Sequence, residues 1–422
     1  MKRIRFFHGL MALALIGGAM PALADAVVDW NDITVQAVSA GRPGPIGAVD
    51  VALVQVAVHD AVQAIDRQFE PYHAEIEAGR GGARGRRSAA VAAAAHDVLV
   101  GMYPAQATAL DATYFNYLAD KGLAGDPGLL VGQQVAARIL PLRRVNPNPL
   151  PPPFVGGSGA GVWRPTPPAL SPMATPWMGD LDPFTLTSPT RFRAAPPPAL
   201  TSDRYTRDYD EVRELGSLGS TKRTAEQTDL AYFYSETAPV LWNRALRGIA
   251  TRYLRKSSDT ARLFALANLA TADALITCWD SKKFYDFWRP VTAIQEGDAD
   301  GNPATIGDPA WQPLINTPNY PDYTSGANAV TGAMMRTLEL YFGTDKVEFD
   351  ATTLAPQAVR KVRRYYRFSD AARDVVDARI YLGIHFRFAD VAARAQGRSV
   401  ADWTFNHFLL PLEDRVHRED KR

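Results

Sequence analysis

Between positions 47 and 67, Val51, Val54, Val58, Ala61, Val62 and Ile65 recur at helical spacing and predict one amphipathic helix. Alanine-rich helices are predicted over 89–103, 104–121 and 129–140, with no period-two alternation that would signal strands. From 141 to 200 this pattern lapses. That stretch holds 16 of the chain's 31 prolines, along with Gly156-Gly157-Ser158-Gly159. Proline withdraws backbone donors and breaks both helices and ladders, so irregular chain is expected there. Its aromatic residues Trp163, Trp177, Phe184 and Phe192 imply a segment packed on the surface, either as a wrap or as a pocket rim. Helical periodicity resumes after the capping-box signature Thr224-x-x-Gln227. It continues over 230–254, 259–279, 325–342 (ended by Gly343), 371–382 and 386–410, with a turn-rich stretch over 297–322. The chain reads as all-α, divided into an N-terminal helical part (25–145), a Pro-rich irregular connection (146–200) and a C-terminal helical part (201–422).

The first residues change the picture of location. Lys2, Arg3 and Arg5 precede an apolar stretch over 6–20, and Ala22-Leu23-Ala24 supplies a small-residue cleavage site. This is the layout of a secretory signal peptide, too short for a bilayer-spanning helix. A mature chain starting at Asp25 and exported to the periplasm or beyond is expected, and no later segment is read as a membrane span. Loss of the three basic residues turns the formal charge from +1 to −2. Such a near-neutral balance argues against nucleic acid or an anionic membrane as the main partner. With Cys278 as the single cysteine, no intramolecular disulfide can form; its apolar helical setting predicts a buried, inert thiol. Paired helical faces are compatible with a homodimer.

The candidate chemistry lies in the C-terminal part. Lys282-x6-Arg289-Pro290, placed just past a predicted helix end, offers a compact point charge and a planar fork for two oxyanion oxygens. Thr324-Ser325-Gly326-Ala327 opens a helix, where free N–H groups and the macrodipole favour negative charge and glycine permits close approach. Arg379-x3-Gly383-Ile384-His385 adds a third cation and an imidazole that can bind a metal centre or attack phosphorus. Taken singly these are an N-cap, solvated surface charges (as Lys283 is read) and a helix-region histidine. Trp163-Arg164-Pro165 repeats the Arg-Pro dipeptide as a decoy without the upstream lysine. Only the ordered set of three motifs points to a cradle for a tetrahedral or bipyramidal oxyanion such as phosphate or vanadate.

On these motifs the chain resembles the vanadium-dependent haloperoxidase and type 2 phosphatidic acid phosphatase superfamily. The resemblance covers essentially the whole mature chain, including Asp29-Trp30-Asn31, the Gly41-Arg42-Pro43-Gly44 turn and Ile384-His385-Phe386-Arg387-Phe388. The run from Trp279 through Lys282 to Phe287-Trp288-Arg289-Pro290 is similar to the fungal chloroperoxidase type. The resemblance implies a helical-bundle fold of the vanadium haloperoxidase and acid phosphatase type. It implies His385 as the axial vanadium ligand, or as the nucleophile that forms a phosphohistidine in a phosphatase. It further implies Lys282, Arg289, Arg379, Ser325 and the Gly326 N–H as grips on the equatorial oxygens. Lys282 would also polarise bound hydrogen peroxide, and Trp279 and Tyr320 would flank a halide.

The second motif departs from the family's pattern, which ends in an acid–base histidine; here Ala327 and Asn328 follow Gly326. Such a group contributes about 10²–10⁴-fold, and alanine cannot transfer a proton. Of the other mature histidines (His59, His73, His96, His407 and His417), none sits in a motif, and His407 is the nearest substitute in sequence. Three readings follow. The first is a vanadate-dependent peroxidase using hydrogen peroxide on iodide, bromide or organic sulfides, weakened by Ala327. The second is an exported phosphatase limited to phosphoesters with good leaving groups. The third is a non-catalytic oxyanion binder.

Overall fold

The computed structural model describes residues 25–78, 84–142 and 151–412. The signal-peptide reading of 1–24 and His417 lie outside these residues. Among the described residues the chain forms thirteen α-helices and one hairpin. The N-terminal helices are α1 (Ala26–Gly41), α2 (Gly47–Asp66), α3 (Arg84–Met102), α4 (Ala107–Lys121) and α5 (Gly128–Ile139). After the Pro-rich segment come α6 (Asp203–Leu215), α7 (Ala225–Phe233), α8 (Ala238–Tyr253), α9 (Ser257–Tyr285), α10 (Pro290–Gln295) and α11 (Gly326–Phe342). Strands β1 (Phe349–Thr352) and β2 (Val362–Tyr365) precede α12 (Phe368–Tyr381) and α13 (Arg387–His407).

The architecture is all-α, as the periodicity predicts, with corrections at the boundaries. The stretch 230–254 is two helices, because a turn at 234–237 intervenes and Pro239 sits in the first turn of α8. Helix α9 runs past Trp279 to Tyr285 and stops where Asp286 adopts φ 44°, so Lys282 lies within the last turn rather than beyond the end. Helices α1, α6 and α10 carry no prediction. In α6 the buried Tyr205, Tyr209 and Val212 hold helical spacing but are outnumbered by charges. The antiparallel hairpin, with Phe349 opposite Tyr365, is likewise unpredicted. Its inward positions in β2 are Arg363 and Tyr365. A charged inward residue hides the alternation, and Arg363 is satisfied only by Asp229 (2.7 Å) and Glu226 (2.8 Å) on α7.

Helix α9 is the axis of the molecule, packed against α2, α11 and α13, while α3 packs on α2 and α5. By length and composition α2 and α9 could each cross a bilayer, contrary to the sequence reading, but the apolar stretch of each is fully buried inside the bundle. A helix that is apolar all round is what a core position requires. A buried polar ladder ties the halves together. Asn31 donates to Asn243 (2.9 Å), which donates to Asn268 (2.9 Å), a buried ladder joining α1, α8 and α9. This gives Asp29-Trp30-Asn31 a structural role, and Arg42 in the next turn pairs with the buried Asp50 at 3.3 Å.

The Pro-rich segment wraps the C-terminal bundle. Phe184 N and Thr185 N donate to the buried Asp273 carboxylate at 2.6 and 2.7 Å. Trp163 N reaches Asp286 O (2.7 Å), and Trp288 N reaches Gly161 O (3.0 Å). Trp163 is fully buried and Arg164 pairs with Glu296, so the decoy dipeptide is a structural anchor. Lys283 forms an outlying pair with Asp180 at 2.7 Å. Gly397 sets the α11–α13 crossing: a Cβ there would lie 2.1 Å from Ala329 O. That close approach brings the start of α11 against the chain that carries His385.

Candidate active site

Four chain segments converge behind α9. Lys282 lies in its last turn, Arg289 caps α10, Ser325 caps α11, and Arg379 lies in the last turn of α12. His385 sits in the link between α12 and α13. All five are buried. The link is short because Gly383 turns the chain at φ 78°. A Cβ on Gly383 would stand 2.4 Å from Gly216 O and 2.9 Å from Pro313, and the left-handed conformation itself costs a non-glycine residue about 1 kcal/mol. Gly383→Ala is therefore expected to lower stability by about 2–4 kcal/mol, the range of serious backbone and packing strain. The urea midpoint measures this, and a midpoint within experimental error of wild type would remove the argument.

The Ser325 loop is held from both sides. Cys278 Sγ on α9 donates to Thr324 O (3.2 Å), Thr324 Oγ1 donates to Gln396 Oε1 on α13 (2.9 Å), and Ser325 N donates to Ala389 O (3.2 Å). Cys278 is fully buried, and burial pushes its thiol pKa up, in keeping with an inert packing role. Ser325 makes no side-chain cap to its helix, which leaves the first N–H groups of α11 for another acceptor.

Arg289 is the hub. Its Nε donates to Tyr320 O (2.7 Å), and its Nη1 donates to Ile384 O (2.6 Å) and to His385 Nε2 (3.1 Å). Arginine keeps its protons, so the ring nitrogen that it contacts, Nε2 at 3.1 Å or Nδ1 at 3.4 Å, accepts and His385 is a neutral imidazole. Burial, reinforced by Arg289, Lys282 and Arg379, holds the imidazole pKa well below its usual value, in agreement. Lys282 Nζ donates to Pro321 O and to Asp322 O (3.1 Å), and burial lowers its pKa to about 7. Arg379 Nη1 donates to Tyr234 O at 3.2 Å. Arg289 Nη2 and Arg379 Nε are buried without a partner.

Trp279 and Tyr320 stand together, ring centroids 5.0 Å apart. Tyr320 is half-buried and carries Lys282 Nζ and the Arg289 guanidinium over its ring, each at 4.8 Å. Trp279 is fully buried, gives its indole N–H to Ala174 O (3.2 Å), and forms the wall that a Cβ on Gly326 would meet at 3.2 Å.

Two buried carboxyls escape a search for anion-gripping residues. Asp322 lies 2.7 Å from His385 Nδ1 and 3.6 Å from Arg289 Nη1, off the hydrogen-bond axis of each, so both its oxygens lack an aligned donor. Burial raises its pKa to about 7 against the pull of Arg289 and Lys282. Asp390 accepts from Asn328 Nδ2 (2.7 Å), and burial holds its pKa well above the carboxylate range. In the sequence both look like surface acids near a motif.

Position 327, where the resemblance implies an acid–base histidine, carries a half-buried methyl, Ala327. Asn328 is fully buried and committed to Asp390. His407 does not substitute. It ends the 21 residues of α13, about 30 Å along the axis from His385, and stacks on Trp403 at 3.6 Å. His59 bonds Glu70 O (3.0 Å), His96 lies between Asp97 and Asp111, and His73 is exposed.

Residues 262–413 match the family model described as VCPO second helical-bundle domain. The chain is 28% identical over 286 residues to vanadium chloroperoxidase of Curvularia inaequalis, a match covering 52% of this chain. It spans about half the length (46%) of that curated relative. In fold it is similar to a bacterial vanadium-dependent iodoperoxidase, with TM-score 0.76 and 24% identity over 91% of this chain and 98% of that one. It is also similar to a holo-type bacterial vanadium-dependent chloroperoxidase, with TM-score 0.73 and 18% identity over 92% and 98% of the two chains.

Proposed function

Because the chain belongs to the vanadium-dependent haloperoxidase and type 2 phosphatidic acid phosphatase superfamily, we propose that it is a vanadate-dependent peroxidase. It would use hydrogen peroxide to oxidise iodide, bromide or an organic sulfide. One observation carries the proposal: the buried N–H groups Arg289 Nη2 and Arg379 Nε have no partner. They lie beside a buried neutral imidazole, one of whose ring nitrogens carries no proton. Buried cationic donors are costly without an acceptor, and an oxyanion supplies one. Vanadate, when bound, supplies a Lewis-acid centre that activates peroxide.

The residues of this chain do the rest. Arg289, Arg379, Lys282, Ser325 and the Gly326 N–H would hold the oxyanion's oxygens, and His385 Nε2 would face its central atom. Lys282, whose pKa burial lowers to about 7, can give a proton to a bound oxygen near neutral pH. Ala327 can neither accept nor return a proton, so easily oxidised substrates are favoured over chloride. In this proposal the leader at 1–24 directs the chain to the periplasm or beyond.

The test is to assay the chain from Asp25 onward for peroxide-dependent bromination and for aryl phosphate hydrolysis, with and without vanadate. Bromination that appears only with vanadate is the expected result. A phosphatase activity that vanadate inhibits would overturn the proposal in favour of phosphoryl transfer through His385. Vanadate binding with neither activity would reduce the protein to an oxyanion binder.

A further inference from the structure

We infer that a cavity between α11, α12 and α13 is a second anion site, which takes a small organic monocarboxylate with an apolar body. It shares no residue with the oxyanion pocket. The cavity holds about 280 Å³, more than the ~150 Å³ of a cavity that binds benzene. Met335, Phe368 and Ala372 supply its apolar lining, and Arg373, Arg394 and Arg398 supply its cations. Arg394 lies one helical turn beyond Asp390 on α13, and Gly332, also in the lining, one turn beyond Asn328 on α11. About 6 Å of helix therefore separates the cavity from the Asn328–Asp390 bond behind Ser325.

Arg394 is the cation left over. Its half-buried guanidinium makes no hydrogen bond or ion pair among the described residues. Burial and the like charges of Arg398 and Arg373 hold its pKa below the arginine range. Its neighbours are already matched, Arg398 with Glu339 and Arg373 with Asp370, each at 3.2 Å. The two carboxylates of the lining are occupied as well. Glu339 also holds Arg336 at 3.0 Å, and Asp345 accepts from Ser369 N (2.8 Å) and Ser369 Oγ (2.7 Å). Three arginines against two carboxylates leave one positive charge unmatched. That excess fits a monoanion, and a free planar fork fits a carboxylate. The apolar lining fits the body that the carboxylate carries.

In isothermal titration, benzoate is expected to bind once per chain with a Kd of about 1 mM. Benzyl alcohol, with the same ring and no charge, should bind at least about tenfold more weakly. Arg394→Gln should weaken benzoate by about 10–100-fold, the loss of a charged hydrogen-bond partner. Arg373→Gln, at a more exposed pair, should weaken it by about two- to fivefold. The thermal midpoint of Arg394→Gln should be no lower than that of wild type, since a cation flanked by like charges has gone. Benzoate should raise the wild-type midpoint and leave that of the variant in place. No saturable binding by about 10 mM benzoate, or equal affinity in wild type and Arg394→Gln, overturns the inference. So does one-for-one displacement of benzoate by vanadate, which would put the carboxylate in the oxyanion pocket. A dimer that excludes benzoate and dissociates in Arg394→Gln, seen by sedimentation, would instead assign the cavity to an acidic side chain of a second copy.

Discussion

Histidine introduced at position 327 is expected to raise peroxide-dependent bromide oxidation by about 10²-fold, the lower end of what a positioned acid–base group contributes. The position is suited to it. Ala327 follows Gly326 in the first turn of α11, beside the uncapped N–H groups, and is half-buried where its neighbours Ser325, Gly326 and Asn328 are fully buried. No resident group does this work: Asn328 is bonded to Asp390, and His407 is a helix length away. Ala327→His should therefore add an ionisation to the pH–rate profile near the ordinary histidine range of about 6–7. Ala327→Gln, of similar reach but unable to titrate, should add none. The measurement is kcat at saturating vanadate across pH. If Ala327→His binds vanadate as the wild type does and gains neither rate nor a pH limb, the acid–base argument from position 327 fails.

Arg289→Ala should abolish measurable vanadate binding and destabilise the fold together. The guanidinium is completely buried and serves Tyr320 O, Ile384 O and His385 Nε2, with Asp322 as its nearby counter-charge. Removing one partner of a buried charged network leaves the others desolvated and unpaired, at about 3–5 kcal/mol. A comparable loss from the oxyanion complex is a factor of about 10²–10⁴ in affinity. Lysine is no remedy, since a compact ammonium lacks the planar fork whose Nε and Nη1 serve Tyr320 O and Ile384 O at once. Urea unfolding with an unchanged m-value would isolate the stability term. Added vanadate should raise the midpoint of wild type and leave that of Arg289→Ala in place. Vanadate affinity within about tenfold of wild type would mean that Arg289 braces the loops without gripping the ligand.

Much of this was legible in one dimension because the relevant signals are local. Val51, Val54 and Val58 recur with the helical period, and Gly343 and the Thr224–Gln227 box mark ends through chemistry confined to one turn. Lys282, Arg289 and Arg379 were visible because permanent charges beside proline, glycine and a helix start are unusual together. The hairpin was not visible, since Arg363 faces inward and its cost is offset by Asp229 from a distant helix. Arg164 and Arg289 share one dipeptide, yet one is a partly exposed ion pair with Glu296 and the other is fully enclosed.

The sequence by itself determined where helices form and which cations, glycine and imidazole could serve an oxyanion, because propensity, capping and permanent charge belong to the residue and its near neighbours. Only the tertiary structure decided which of them are dry, which donors lack a partner, and that Asp322 and Asp390 stand among them. Those properties depend on desolvation and on distances between segments 43 to 97 positions apart, from Lys282 through Ser325 to Arg379. The exclusion of water by packed helices fixes the neutral state of His385, and a linear pattern carries no record of it.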